Sequence, residues 1–139
     1  MAWAALVSWI VTAGGGFVLL TVWLRNGGMS QREPGQIRPF LILGHFALAA
    51  LGLVLWIVYV ANDSDTLAWI AFGILVVVAL LGFTMFAIWW QRRQAGAAVQ
   101  AAGAPGQPAE QHFPVGIVGL HGLLAVTTVV LVFLTAVGV

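Results

Sequence analysis

Charged residues divide this chain into four long uncharged runs. No Asp, Glu, Lys or Arg occurs at residues 3 to 24, 39 to 62, 66 to 91 or 113 to 139. Each run exceeds the about 20 residues that a helix rising about 1.5 Å per residue needs to cross a hydrocarbon layer about 30 Å thick. The pattern predicts helices over about 3–24, 39–61, 66–90 and 114–138. They form an all-α, transmembrane, up-down four-helix bundle in a single integral membrane domain. The segments between them carry turn and loop signals. Gly27, Gly28, Pro34 and Gly35 mark residues 25 to 38 as an irregular loop. Asn62-Asp63-Ser64-Asp65 is a short reversal that makes the second and third helices antiparallel neighbours. The third connection, about 94–112, is rich in Ala, Gly, Gln and Pro and reads as a flexible linker. Pro39 and Pro114 open the second and fourth runs at a first-turn position, where a missing N–H costs nothing.

Composition agrees with the pattern. The chain is 62% hydrophobic and 6% charged, against about a quarter charged in soluble domains. The first run has no basic leader before it and ends in Trp23-Leu24-Arg25 without a small-residue cleavage pattern, so it reads as a helix and not a signal peptide. The absence of cysteine excludes disulfides, iron-sulfur clusters and thiolate catalysis. A formal charge of +1 gives no reason to expect a nucleic-acid partner. All five basic residues are arginines in the first and third connections, which the positive-inside rule places in the cytoplasm, so loops 25–38 and 91–113 face inward and both termini outward. Trp23, Trp89 and Trp90 near one boundary and Trp3 and Trp69 near the other read as an aromatic belt.

The candidate chemistry lies in a repeat. Pro39-Phe-Leu-Ile-Leu-Gly-His45 is matched by Pro114-Val-Gly-Ile-Val-Gly-Leu-His121, and Gly16-Phe17 with Trp23 is matched by Gly82-Phe83 with Trp89. The chain thus reads as two related helical hairpins in the same topology, with His45 and His121 equivalent residues on parallel helices. By helical rise they lie about 9 and 10.5 Å below the arginine-bearing ends of their helices. In an up-down bundle the second and fourth helices are diagonal, so inward-facing histidines point at one another.

A planar cofactor with two axial positions suits such a pair: His45 and His121 would ligate the iron of haem b. Gly16, Gly52 and Gly82 would give the porphyrin thin flanking helices, and Thr84, at the same depth, is placed to orient an imidazole. Arg25, Arg38, Arg92 and Arg93 lie at the nearest boundary, where propionates need positive partners; His112 at the surface reads as a solvated interfacial histidine, with a hydrogen bond to a propionate as the alternative. Each residue type also has a plainer use. Glycines in membrane helices serve packing, arginines set orientation, and an intramembrane histidine can simply hydrogen-bond across helices. Zinc or copper binding and proton handling are weaker options, since no carboxylate or thiolate accompanies the histidines.

The stretches Gly44-His45-Phe-Ala-Leu-Ala-Ala and His112-Phe-Pro-Val with His121-Gly-Leu-Leu-Ala-Val resemble small bacterial four-span membrane proteins. That resemblance implies a multi-pass protein of the inner (plasma) membrane and no particular activity. In architecture the chain also resembles the bis-histidine b-type membrane cytochromes, through His45 and His121 alone. That second resemblance implies one haem near the cytoplasmic side and electron transfer with a quinone or a redox partner protein, or haem carriage or sensing. The competing class is a non-catalytic accessory or assembly subunit of a larger membrane complex, or a homo-oligomer, whose histidines are structural. Transport ranks below both because no carboxylate or cation lies within a span.

Overall fold

A computed structural model describes residues 1–30, 36–100 and 108–139, with side chains from 97 to 100 left aside. Four helices form a bundle: α1 (Ala2–Arg25), α2 (Pro39–Asn62), α3 (Asp65–Gln100) and α4 (Val115–Ala136), with a short 3-10 turn at Ala109–His112. All four are long and apolar enough to span a membrane, and the chain is a multi-pass membrane protein.

Local chemistry sets the ends. Gly27 takes φ 79 after α1, and the Gly28 and Gly27 N–H groups return to the carbonyls of Trp23 and Leu24 at 2.9 and 3.1 Å. This is the double closure that a left-handed residue permits, and Gly138 repeats it after α4. Arg38 is extended, as a residue before proline must be, and Pro39 occupies the first turn of α2. Asp63 ends α2 in the left-handed region at φ 51, a conformation that Asp tolerates better than most residues. One boundary differs from expectation. α3 runs ten residues past Trp90 to Gln100, so the first part of the expected linker is helix: Gln91 to Gln94 and the alanines after them have good helix propensity, and only hydrophobicity stops at the membrane edge. Residues 101–107 of that linker lie outside the described residues.

α1 packs most extensively against α4 and α2 against α3, while the diagonal pairs α1/α3 and α2/α4 have no close backbone approach among the described residues. The close pairs therefore join one half of the repeat to the other.

Burial follows three levels along the bundle axis. At the end away from the arginines lies a close-packed core that includes Trp9, Trp56, Tyr59, Ala71, Leu75 and Val132. The Trp9 and Trp56 rings are 6.4 Å apart, and the Trp56 indole N–H donates to the Ala2 carbonyl at 3.2 Å. Ser8 and Thr12 on α1 meet the Thr128 hydroxyl on α4 at 2.8 and 3.2 Å. Hydroxyls between membrane helices find partners inside the protein because lipid offers none. At the arginine-bearing end a second layer is buried: Trp23, Gly28, Ile37 and Trp89, roofed by Pro108, Ala109 and Glu110. Trp23 and Trp89, expected in the aromatic belt, are 0% and 2% exposed: Gly28 packs against the Trp23 ring, and the 3-10 turn packs on α1 and α3. Trp3, Trp69 and Trp90 are exposed.

Between these layers no residue is buried on any helix. On α1 burial stops after Thr12 and resumes at Trp23, and on α3 it stops after Val78 and resumes at Trp89. On α2 nothing is buried before Gly52, and on α4 nothing before Thr128. These limits correspond across the repeat: the offset from Gly16 to Gly82 also carries Thr12 to Val78 and Trp23 to Trp89, and the offset from His45 to His121 carries Gly52 to Thr128. The zone without fully buried residues is thus bounded alike in both halves, and both histidines lie in it.

Gly52 belongs to the close-packed core. A Cβ there would stand 2.9 Å from the Trp9 ring and 3.3 Å from the Ile74 side chain. Gly52→Leu is expected to cost about 1 to 3 kcal/mol through overpacking, read as a lowered unfolding midpoint in detergent. An unchanged midpoint would show that the core is less tightly fitted than described.

Candidate functional site

His45 stands on α2 and His121 on α4, and their rings meet across the bundle with centroids 6.4 Å apart and planes at 65°. Each ring is anchored to a helix of the other half of the repeat. His45 Nδ1 lies 3.0 Å from the Val78 carbonyl of α3, and His121 Nδ1 lies 2.9 Å from the Thr12 carbonyl of α1. A carbonyl oxygen only accepts, so Nδ1 donates in both bonds and carries the proton. In the neutral ring the lone pair then belongs to Nε2. No hydrogen bond involves either Nε2 among the described residues.

The repeated glycines explain how the rings get there. A Cβ on Gly16 would stand 3.2 Å from His121 Cε1, and one on Gly82 would stand 3.3 Å from His45 Cε1. Gly15 also borders His121, at 3.5 Å. Each glycine follows by one helical turn the residue whose carbonyl accepts the imidazole hydrogen bond: Thr12 to Gly16, Val78 to Gly82. The turn accepts the imidazole hydrogen bond with one residue and clears space for the ring with the next. Gly16 and Gly82 accordingly accommodate the imidazoles themselves, a closer role than thinning a helix beside a macrocycle.

The remaining candidates fall elsewhere. Gly52 serves Trp9, as described, and Thr84 is exposed with its hydroxyl donating to the Leu80 carbonyl at 2.8 Å. The orientation of the imidazoles comes from backbone carbonyls and not from Thr84. Arg25 is exposed, and Arg93 lies over the Trp89 ring at 5.5 Å in a cation-π contact. Arg38 and Arg92 share a groove between α2 and α3 with Gln36, Leu41, Ile88 and Gln91. His112 is exposed at the end of the 3-10 turn.

One buried group was not singled out from the sequence. Glu110 is 0% exposed, and its Oε1 accepts the Ile37 N–H at 2.9 Å. Its Oε2 and the indole N–H groups of Trp23 and Trp89 have no hydrogen-bond partner among the described residues. The sequence signal, an acid next to a membrane segment, is shared by many solvated residues; only the fold shows that Glu110 ties the third connection to the first.

On either side of the histidines the two halves differ. Phe17 and Phe46 pack edge to face at 5.2 Å between α1 and α2. The repeat counterpart of Phe46 is Gly122, and Phe83, the counterpart of Phe17, has no ring partner among the described residues and is 59% exposed. Beside the histidines the α1/α2 seam thus carries an aromatic pair, whereas a ring contact across the α3/α4 seam, Phe72 with Phe133 at 5.3 Å, lies toward the opposite end of the bundle.

The donor set at this level is two imidazoles. Among the described residues no group of three or more His, Cys, Asp or Glu is placed to hold a metal ion. Two imidazoles on opposite sides of one metal, each coordinating nitrogen about 2 Å from it, have ring centres about 6 Å apart. The observed 6.4 Å matches that spacing, and the free Nε2 lone pairs are the ones a metal takes. Ligating histidines commonly donate their other N–H to a carbonyl, as both do here. The donor type and the ring spacing fit two-imidazole ligation of one iron.

In the protein as isolated without added metal, both rings are expected as the Nδ1–H tautomer. Nitrogen-15 spectra of labelled histidine in detergent would read this directly, and an Nε2–H signature at His45 or His121 would contradict the assignment. Gly82→Val is expected to shift the His45 signals and leave those of His121 nearly unchanged, because it crowds one ring only.

The chain matches no protein-family model, no curated protein and no solved structure.

Proposed function

We propose that this chain is a haem-b protein of the bacterial inner membrane, holding one haem between His45 and His121 and passing electrons to or from a quinone or a protein partner. The observation that carries the reading is the pair of imidazoles 6.4 Å apart with both Nδ1 protons engaged by carbonyls. The lack of fully buried residues at their level, between the buried layers on either side, supports it. Haem would supply one-electron chemistry. The chain would hold the iron through two nitrogens, fix the ring orientations through Thr12 and Val78, and exclude water with the buried layers at each end. The arginine-bearing end is read as cytoplasmic and both termini as external, so the redox centre lies nearer the cytoplasmic face. Arg25, Arg38, Arg92 and Arg93 are the cations available there.

A second reading has its own support. The same hydrogen bonds tie α2 to α3 and α4 to α1 without any cofactor, and cross-helix bonds of this kind contribute about 0.6 to 2 kcal/mol each. In that case the chain is an accessory or assembly subunit with structural histidines.

The visible spectrum separates the two. Protein produced with haem supplied is expected to show a sharp alpha band on reduction, lost in both His45→Ala and His121→Ala and retained in His112→Ala. A colourless preparation, with the two alanine variants lowering only the unfolding midpoint, would establish the structural role instead.

A further inference from the structure

Arg38 and Arg92, two of the cations that the haem reading makes available, line a groove at the arginine-bearing end whose other residues that reading does not use. The groove encloses about 300 Å³ between the start of α2 and the far part of α3, lined by Gln36, Arg38, Leu41, Ile88, Gln91 and Arg92. Its polar residues lie toward the helix ends and its apolar residues, Leu41 and Ile88, about a turn further into the span. The two guanidiniums come from different helices, and neither pairs with a carboxylate among the described residues. Arg38 is the N-cap of α2, so the positive end of that helix dipole adds to their field.

The walls are held in place. Ile37, between the two groove residues Gln36 and Arg38, gives its N–H to the buried Glu110 at 2.9 Å. Gln36 donates to the Gly28 carbonyl at 3.3 Å. On the facing wall, Gln111 reaches the Trp89 carbonyl at 3.5 Å, between Ile88 and the two outer residues. The arginines are therefore carried on backbone fixed by the fold.

We propose that this groove binds the headgroup of an anionic phospholipid. Arg38 and Arg92 clamp the phosphodiester, Gln36 and Gln91 border the glycerol region, and Leu41 and Ile88 meet the start of the acyl chains. The order from cation to carboxamide to aliphatic side chain follows the order of chemistry along a lipid from phosphate to tail. Guanidinium presents a planar fork of donors that matches phosphate oxygens, and basic pockets between helices at a membrane face are recognised lipid headgroup sites. The site requires no haem and stands apart from the histidines.

The test is native mass spectrometry of the full chain in neutral detergent, titrated with phosphatidylglycerol and with phosphatidylcholine of identical acyl chains. Phosphatidylglycerol is expected to bind at least about tenfold tighter. The double variant Arg38→Gln/Arg92→Gln is expected to weaken it by about 30-fold, while Arg93→Gln, whose guanidinium lies over Trp89, changes it by less than about twofold. Because removing two of five arginines can disturb insertion, Ile88→Trp provides a variant that fills the groove with every charge kept, and it too is expected to abolish the preference. Equal affinity for the two lipids, or an equal loss in Arg93→Gln, would overturn the assignment to this groove. Full displacement of the lipid by millimolar inorganic phosphate would overturn the lipid as occupant and identify a site for a free anion.

Discussion

An imidazole N–H placed in hydrocarbon has to find its acceptor within the protein, since lipid supplies none. In this bundle the acceptor is each time a backbone carbonyl one helical turn before a glycine, on a helix of the opposite half. That constraint couples four elements at once. The acceptor residue, the glycine, the histidine and the helix pairing have to occur together, and the chain contains the set twice. The closest packing follows the same pairs, α1 with α4 and α2 with α3, so the halves of the repeat are interlocked and not merely adjacent. Neither hairpin satisfies its own histidine.

Much of this was legible in the sequence, and the reasons are physical. Span length is dictated by membrane thickness, so the ends of α1, α2 and α4 fall within one or two residues of the hydrophobicity limits. Helix propensity is indifferent to the membrane edge, so α3 continues where hydrophobicity stops. The pairing of His45 with His121 was legible because duplication marks equivalent positions and an up-down bundle puts them on a diagonal. Which carbonyl each ring would choose was not, because carbonyls are present at every residue and carry no sequence signal. Thr84 illustrates the difficulty: a hydroxyl at the right depth is a plausible partner, yet two residues past Gly82 it lies on the opposite side of α3 and bonds its own helix.

The tryptophans and Glu110 mark a second limit. Position near a boundary suggests an aromatic belt, but whether a ring faces lipid or protein depends on what the adjoining segment does. Here Gly28 packs against the Trp23 ring, and the 3-10 turn packs on α1 and α3 and buries a carboxylate that holds the first connection by the Ile37 N–H. A segment of Ala, Gly, Gln and Pro gives little indication that its final residues are anchored. The result is a bundle with fully buried layers toward both ends and none at the level of the histidines. The same turn fixes the stretch that carries Arg38.

The location of the two ring protons has a chemical corollary. Since Nδ1 of both imidazoles is already committed to a carbonyl, an incoming acid equivalent has only Nε2 to occupy, the nitrogen a metal also requires. Protonation and metallation are therefore rival outcomes at the same two lone pairs, each displacing the other and neither disturbing the hydrogen bonds that hold the rings.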